Sequence, residues 1–154
     1  VNETIHFLFL GFNAPEAILS INRVVLGVVF TITGFHKCFY PQRHEVFCHT
    51  LKECGIPDIP LVDWFVCSVE LLGGLALVIG LLAPLAALGL LGIAVVAVVT
   101  NGIYRIPNDE PEDLGDWVFY FLYLPEVLWV VMLLVVIIGG PGWFSLDHYI
   151  STLI

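Results

Sequence analysis

The chain has 154 residues and a formal net charge of -9; 59% of the residues are hydrophobic, only 12% are charged, and the mean hydropathy is +0.98. Soluble domains carry about 25% charged residues, and a chain of this size cannot hide so much apolar side chain behind a water-facing surface, so the composition excludes an ordinary soluble globule and makes lipid the expected solvent. The acidic balance excludes a basic stripe for nucleic acid and a polybasic patch for anionic lipid head groups, while leaving a basic soluble partner open.

In chain order, Val1 to Asn13 carries no Lys or Arg, and its apolar run from Ile5 to Phe12 is too short to span a bilayer. No cleavable signal peptide is expected there. Crossing ~30 Å of hydrocarbon takes about 20 helical residues, and four segments reach that length, at about 17–39, 61–82, 85–103 and 116–138. Pro15 suits the start of the first and Pro41 its stop. The Ala83-Pro84 break leaves room only for an antiparallel hairpin between the second and third. The fourth ends at Gly139-Gly140-Pro141-Gly142, a strong helix stop. Pro125 inside it removes a backbone donor, so a kink is expected there. Small residues (Gly73, Gly74, Ala76, Gly80, Ala86, Ala87, Gly89, Gly92) crowd the second and third spans and let membrane helices approach closely. Trp64, Trp117 and Trp143 fall near span ends, as an aromatic belt would. The expected fold is all-α: an integral membrane four-helix bundle with short interfacial helices, a single domain over residues 1–154.

The connection from Tyr40 to Pro60 places Phe47, Leu51 and Cys54 at i, i+4 and i+7, the pattern of a short amphipathic helix at the interface. The connection from Tyr104 to Gly115 is acidic, with Asp109, Glu110, Glu112 and Asp113. It reads as a solvated loop or as a docking face for a basic partner such as a soluble cytochrome. In the tail, Asp147 and His148 are expected to cap a short terminal helix, and Gly140-Pro141-Gly142 reads as a turn. Four spans put both termini on one side and both long connections on the other. Lys37, Arg43, Lys52 and Arg105 tip the long connections slightly toward the cytoplasm.

Ionisable groups at membrane depth are the sharpest functional signal, since each costs on the order of 2.5–3.5 kcal/mol on insertion scales and needs a partner or a task. Glu70 lies nine residues beyond Leu61 and Glu126 ten residues beyond Asp116, depths of ~14 and ~15 Å from the same side. The two carboxylates therefore fall at one level. His36 and Lys37 end the first span on that side, Asn101 ends the third, and Asp63 and Asp116 complete a polar mouth. A pocket of Glu70, Glu126, His36, Lys37 and Asn101 would suit a quinone head group. A His or Lys would donate to a carbonyl oxygen, and a carboxylate held protonated by low dielectric would relay a proton. The competing reading is that the carboxylates are neutral or paired and only lock helix packing. Arg23, toward the opposite end, is expected to reach Glu70 as an ion pair or to snorkel to head groups.

The four cysteines, Cys38, Cys48, Cys54 and Cys67, contain no C-x-x-C motif, which weighs against thioredoxin-like chemistry. Cys48 and Cys54 are close enough for a small disulfide loop in an oxidising space. His44, Cys48, His49 and Cys54, with His36 and Cys38 nearby, are ligand types for zinc or copper. Their spacing matches no metal motif, so a bound metal is not expected and the residues read as small side chains and solvated histidines. No phosphate-binding glycine loop, nucleophile elbow or haem-attachment motif occurs.

Four passages in order resemble the DoxX family over nearly the whole chain: Arg23-Val-Val-Leu-Gly27 with Gly34-Phe-His-Lys37; Gly55-Ile-Pro57; Glu70-Leu-Leu-Gly-Gly74 with Gly80-Leu-Leu-Ala-Pro84; and Gly140-Pro-Gly-Trp-Phe-Ser-Leu-Asp147. The resemblance implies a four-helix membrane protein associated with redox systems. Members of that family have been linked to thiosulfate:quinone oxidoreduction and to membrane complexes that handle thiol or oxidative stress. The expectation that follows is an accessory or quinone-associated subunit of an oxidoreductase complex in a prokaryotic inner membrane. Its partners would be the lipid bilayer and other membrane or redox subunits. No covalently bound cofactor is expected; quinone would be held non-covalently. No cofactor-binding domain fits in a chain of this length, so electrons would enter from a partner. Two other readings stay open: a free-standing quinone- or thiol-linked membrane oxidoreductase, and a small transporter or metal-handling protein that uses the carboxylate pair.

Overall fold

The structure is a computed structural model that describes residues 15–53, 55, 59–106 and 113–153. Val1 to Asn13, Cys54, Asp109, Glu110 and Glu112 lie outside the described residues. Seven α-helices are described: α1 (Pro15–Phe39), α2 (Pro41–Glu53), α3 (Pro60–Ile79), α4 (Ala83–Ala97), α5 (Leu114–Leu122), α6 (Pro125–Gly139) and α7 (Leu146–Ser151). Helix α4 runs on through a π turn, Val98–Gly102, and a 3-10 turn, Ile103–Arg105. No strand occurs among the described residues.

Among the described residues, three stretches are long and apolar enough to cross a membrane: Pro15–Phe39, Pro60–Ile79 and Ala83–Arg105. Helices α5 and α6 pass the same test only together, as a pair bent by 66°, the geometry of a broken span or a re-entrant loop; the pair is called the fourth span. The protein is thus an all-α, multi-pass membrane bundle, with α2 and α7 as its short additional helices. The fourth span departs from the expected single, gently kinked helix over 116–138. Pro125 divides it into two helices because proline has no N–H to donate and pushes the preceding residue out of the helical region. Leu124 is accordingly extended, with φ -69° and ψ 123°. The same preference explains why α1, α2, α3 and α6 all begin on a proline, where the missing donor costs nothing.

Helices α1 and α3 make the most extensive contact and α4 and α6 the next. Glycine makes the first contact close. A Cβ on Gly27 would lie 2.7 Å from the Val78 nitrogen, one on Gly34 2.5 Å from the Leu71 nitrogen, and one on Gly74 would collide with the Thr31 nitrogen. Backbone touches backbone at each site, the close approach that membrane helices use in place of a hydrophobic drive. Behind it, Ala83, Ala87, Leu90 and Ala94 repeat at alternating steps of four and three along α4 and face Leu133 and Val136 of α6, a seam of the knobs-into-holes type. The outward faces carry exposed Leu72, Leu85, Leu88, Val99, Leu128 and Ile138, as lipid-facing surfaces should.

The end of the bundle that carries the α3–α4 turn is closed by two polar groups, the half-buried Asp147 and the buried Arg23. Gly80 ends α3 at φ 75°, a left-handed position that suits glycine. Asp147 then accepts from the Leu82 and Ala83 nitrogens at 2.7 and 2.8 Å, while its own nitrogen donates to the Gly80 carbonyl at 2.9 Å. Asp147 thus caps the positive end of α4. It does not cap the terminal helix as expected. That role falls to Ser145, whose Oγ accepts from the His148 nitrogen at 3.0 Å.

Arg23 is fully buried and donates to the carbonyls of Leu77, Val78, Pro141 and Phe144. It neither reaches Glu70 nor snorkels to the surface. The last carbonyls of α3 have no intrahelical partner, they form the negative end of that helix, and a guanidinium offers five donors in one plane to meet them and the tail together.

The α1–α3 contact predicts a contrast between two glycines. Gly74→Val should destabilise the bundle by about 2 kcal/mol or more, read as a lower midpoint in denaturant titration of the detergent-solubilised protein. Gly92→Val, whose Cβ meets nothing within 4 Å, should leave that midpoint almost unchanged.

Candidate functional site

At the opposite end, where α1 turns into α2, the helices leave a cavity of about 640 Å³. Helical periodicity selects its walls. Helix α1 contributes Phe30, Thr33 and Lys37, and α3 contributes Val62, Val66 and Glu70. Each set recurs every three or four residues and so lies on one face. Helix α2 adds Arg43, Val46, Phe47, Thr50 and Leu51, α4 adds a strip from Gly92 through Ala97, and α6 adds Glu126 and Trp129. The π turn places Thr100 and Asn101 on the wall, in the widened geometry that such turns often provide at functional sites.

The five residues that the sequence grouped as a polar pocket, Glu70, Glu126, His36, Lys37 and Asn101, all line this cavity. Their local surroundings differ. Lys37 Nζ stands 2.6 and 2.7 Å from the two carboxylate oxygens of Glu70 and 4.7 Å from the centre of the Phe47 ring. The ammonium is thus clamped between a carboxylate of α3 and a ring face of α2. His36 is exposed, its ring edge-on to Tyr40 at 5.1 Å. Asn101 is half-buried.

Glu126 occupies the first turn of α6, where the helix dipole favours an anion. The break at Pro125 therefore creates a helix N-terminus inside the span and puts a carboxylate on it. Glu126 is only 9% exposed. Its Oε1 accepts from Arg105 Nη2, while its Oε2 is buried without a hydrogen-bond partner among the described residues. An acceptor left so costs about 1–3 kcal/mol, which marks Oε2 as a buried wall atom with an unmet bonding demand. Trp129, one turn on, packs edge-to-face on Phe30 with ring centroids 5.6 Å apart.

Sequence reasoning missed three features of the site. Arg105 was counted only for membrane orientation, yet it is the cation that meets Glu126. It lies three residues beyond the π turn, and a span ending near 103 leaves it in a loop. Helix α2 was expected at the interface but not as a cavity wall. Phe47 and Leu51, two members of its apolar stripe, both face the cavity, and the third, Cys54, lies outside the described residues. Finally, the ligand-type residues singled out in the sequence are His44, Cys48, His49 and Cys54, where no metal is expected. The structure brings His44 and Cys48 together with Asp63 and leaves His49 exposed. Of the acidic connection, Asp113 is described: it caps α5, accepting from the Asp116 nitrogen at 2.9 Å.

The family follows from comparison with known proteins. The DoxX family profile matches residues 18–103, more than half of the chain. The chain belongs to the DoxX family. The match takes in α1, α2, α3 and α4 and three of the four resembling passages; Gly140 to Asp147 lies beyond it. Comparisons with curated proteins and with solved structures returned no match. For a DoxX chain, the matched region supplies Lys37, Glu70 and Asn101, while Glu126 and Trp129 come from the broken fourth span.

The clamped ion pair has a testable energetic signature. Lys37→Met leaves the Glu70 carboxylate buried without its cation and should destabilise the protein by ~3 kcal/mol. The Lys37→Met, Glu70→Leu double variant should recover most of that loss, read as denaturation midpoints of the two variants in the same detergent.

Proposed function

We propose that this DoxX-family chain is a quinone-associated subunit of an oxidoreductase complex in a prokaryotic inner membrane. The observation that supports the reading best is the cavity, whose volume of about 640 Å³ lies in the range of small-molecule sites, roughly 300–1,000 Å³. Its walls are mainly apolar and aromatic, with a cation and an incompletely bonded carboxylate among them. A quinone matches that pattern: a flat ring with two carbonyl acceptors and an apolar tail. Lys37 or His36 would donate to one carbonyl, Trp129 and Phe47 would flank the ring, and Glu126 Oε2 would bond the opposite edge when protonated. Reduction to the quinol takes two electrons and two protons. A redox group of a partner subunit supplies the electrons, and Glu70 and Glu126 pass the protons inward.

The test is extraction in mild detergent, with mass spectrometry of the small molecules and proteins that co-elute. Stoichiometric quinone together with oxidoreductase subunits is the expected result. Gly92→Phe, which grows a ring from an open position on the cavity wall, should lower the quinone content about tenfold or more while the bundle stays folded. Equal quinone content in that variant, or none in the parent protein, would contradict the proposal.

A thiol-linked quinone reductase is the second reading, favoured by one contact. The thiols of Cys38 on α1 and Cys67 on α3 lie near each other, next in the chain to Lys37 and one turn from Glu70. That dithiol would deliver two electrons and two protons to a quinone, closing a disulfide and releasing the quinol. Cys38→Ser would abolish quinone reduction under this reading and spare reduction driven by a partner subunit under the first.

A further inference from the structure

Beside the cavity, on the adjoining stripe of α2, a second cluster has no part in the quinone reading. We propose that His44, Cys48 and Asp63 form a three-ligand site for a divalent cation of the zinc class. A ring nitrogen of His44, the Sγ of Cys48 and a carboxylate oxygen of Asp63 all lie within 4.8 Å of one another. His44 and Cys48 are four residues apart on α2 and so project from one face; Asp63 reaches them from the first turn of α3. The Cys48 Sγ to Asp63 Oδ2 distance is 3.3 Å. The corresponding edge of a tetrahedral zinc site is about 3.5 Å, from its bond lengths of ~2.3 Å to sulfur and ~2.0 Å to oxygen. Two of the three ligands thus already stand at the separation the metal requires.

Two further observations point the same way. Asp63 is only 5% exposed, and the thiol proton of Cys48 meets it. A dication replacing that proton would find a thiolate, a carboxylate and a neutral imidazole. The assembly has no net charge, the form in which a buried ionic cluster is tolerated. The displaced proton leaves to solvent. The Nδ1 of His44 lies 3.0 Å from the Lys37 carbonyl, so an Nδ1–H donated there would leave Nε2 as the nitrogen to take the metal. A backbone carbonyl holding one imidazole nitrogen is the usual outer support of a metal-ligating histidine. Three protein ligands leave one coordination position open, the pattern of an exchangeable or reactive zinc and not of a closed structural one. An ion here would also pin α2 to α3, and so fix Phe47, the neighbour of Cys48, on the cavity wall.

Cobalt is the probe. The full chain, purified in detergent with its thiols reduced, is titrated with Co2+ and the spectrum recorded. A stoichiometric thiolate-to-cobalt charge-transfer band in the near ultraviolet, with intense tetrahedral ligand-field bands and displacement by Zn2+, is the expected result. Cys48→Ser should abolish the charge-transfer band. Asp63→Asn should weaken binding by about tenfold or more. His44→Gln repeats the test at a half-buried position without touching the buried carboxylate, and His49→Ala should leave the titration unchanged. Absence of the charge-transfer band in the parent protein, or unaltered affinity in both Cys48→Ser and His44→Gln, would overturn the site.

Discussion

A charge placed among membrane helices must find its counterpart inside the protein, and this requirement organises the structure. Arg23, Glu70 and Glu126 are buried within spans that offer no water to solvate them. Each is met by a different device. Arg23 spreads its donors over the carbonyls of α3 and the tail. Glu70 takes both oxygens to Lys37. Glu126 combines Arg105 with the N-terminus of α6. The first arrangement satisfies the cation through four backbone carbonyls and closes one end of the bundle. The other two place Lys37, Glu70 and Glu126 on a wall that remains open, and Glu126 leaves one oxygen unbonded among the described residues.

The difference between the two ends follows from backbone chemistry. At the closed end, Gly80 gives a tight left-handed turn, and Asp147 folds the tail onto it. At the open end, the backbone is irregular twice: α4 widens into a π turn at Val98–Gly102, and the fourth span breaks at Pro125. The α4 seam of Ala83, Ala87, Leu90 and Ala94 continues to the buried Val98 at the start of the π turn, and the fourth span is bent by 66° at its break. The cavity opens beside these irregularities, with α1, α2 and α3 as its remaining walls. Non-helical backbone at membrane depth persists only where protein or a polar cavity surrounds it, so the two irregularities and the polar wall belong together. The residues that carry the DoxX resemblance divide between the ends. Arg23, Gly80 and Asp147 are structural pins, whereas Lys37 and Glu70 form the ion pair at the cavity.

Much of this is legible in the sequence because it rests on periodicity and on the cost of burying polar groups. Length and apolar run locate the spans, Ala83-Pro84 gives the hairpin, and counting residues from Leu61 and Asp116 puts Glu70 and Glu126 at one level. What sequence does not disclose is which counterpart each charge selects. Arg23 was expected to meet a carboxylate or head groups; helix-end carbonyls suit a planar five-donor group as well, and spacing alone does not distinguish them. Asp147 reads as a cap of its own terminal helix, although its partner is 65 residues away. Pro125 announced a kink; the extended Leu124 that turns it into a break is a matter of one dihedral angle. Asp63 was read as part of a polar mouth, and only the packing of α2 on α3 brings it to Cys48.

In the proposed reading, the space between α2, α4 and the broken fourth span receives a quinone ring. The most direct test is photolabelling of native membranes with an azidoquinone, followed by peptide mapping of the adducts. Adducts are expected on the α2 segment around Phe47 to Leu51 and on the stretch from Gly92 to Asn101, each suppressed by excess unlabelled quinone. Adducts confined to the lipid-facing sides of the helices, or insensitive to competing quinone, would contradict it.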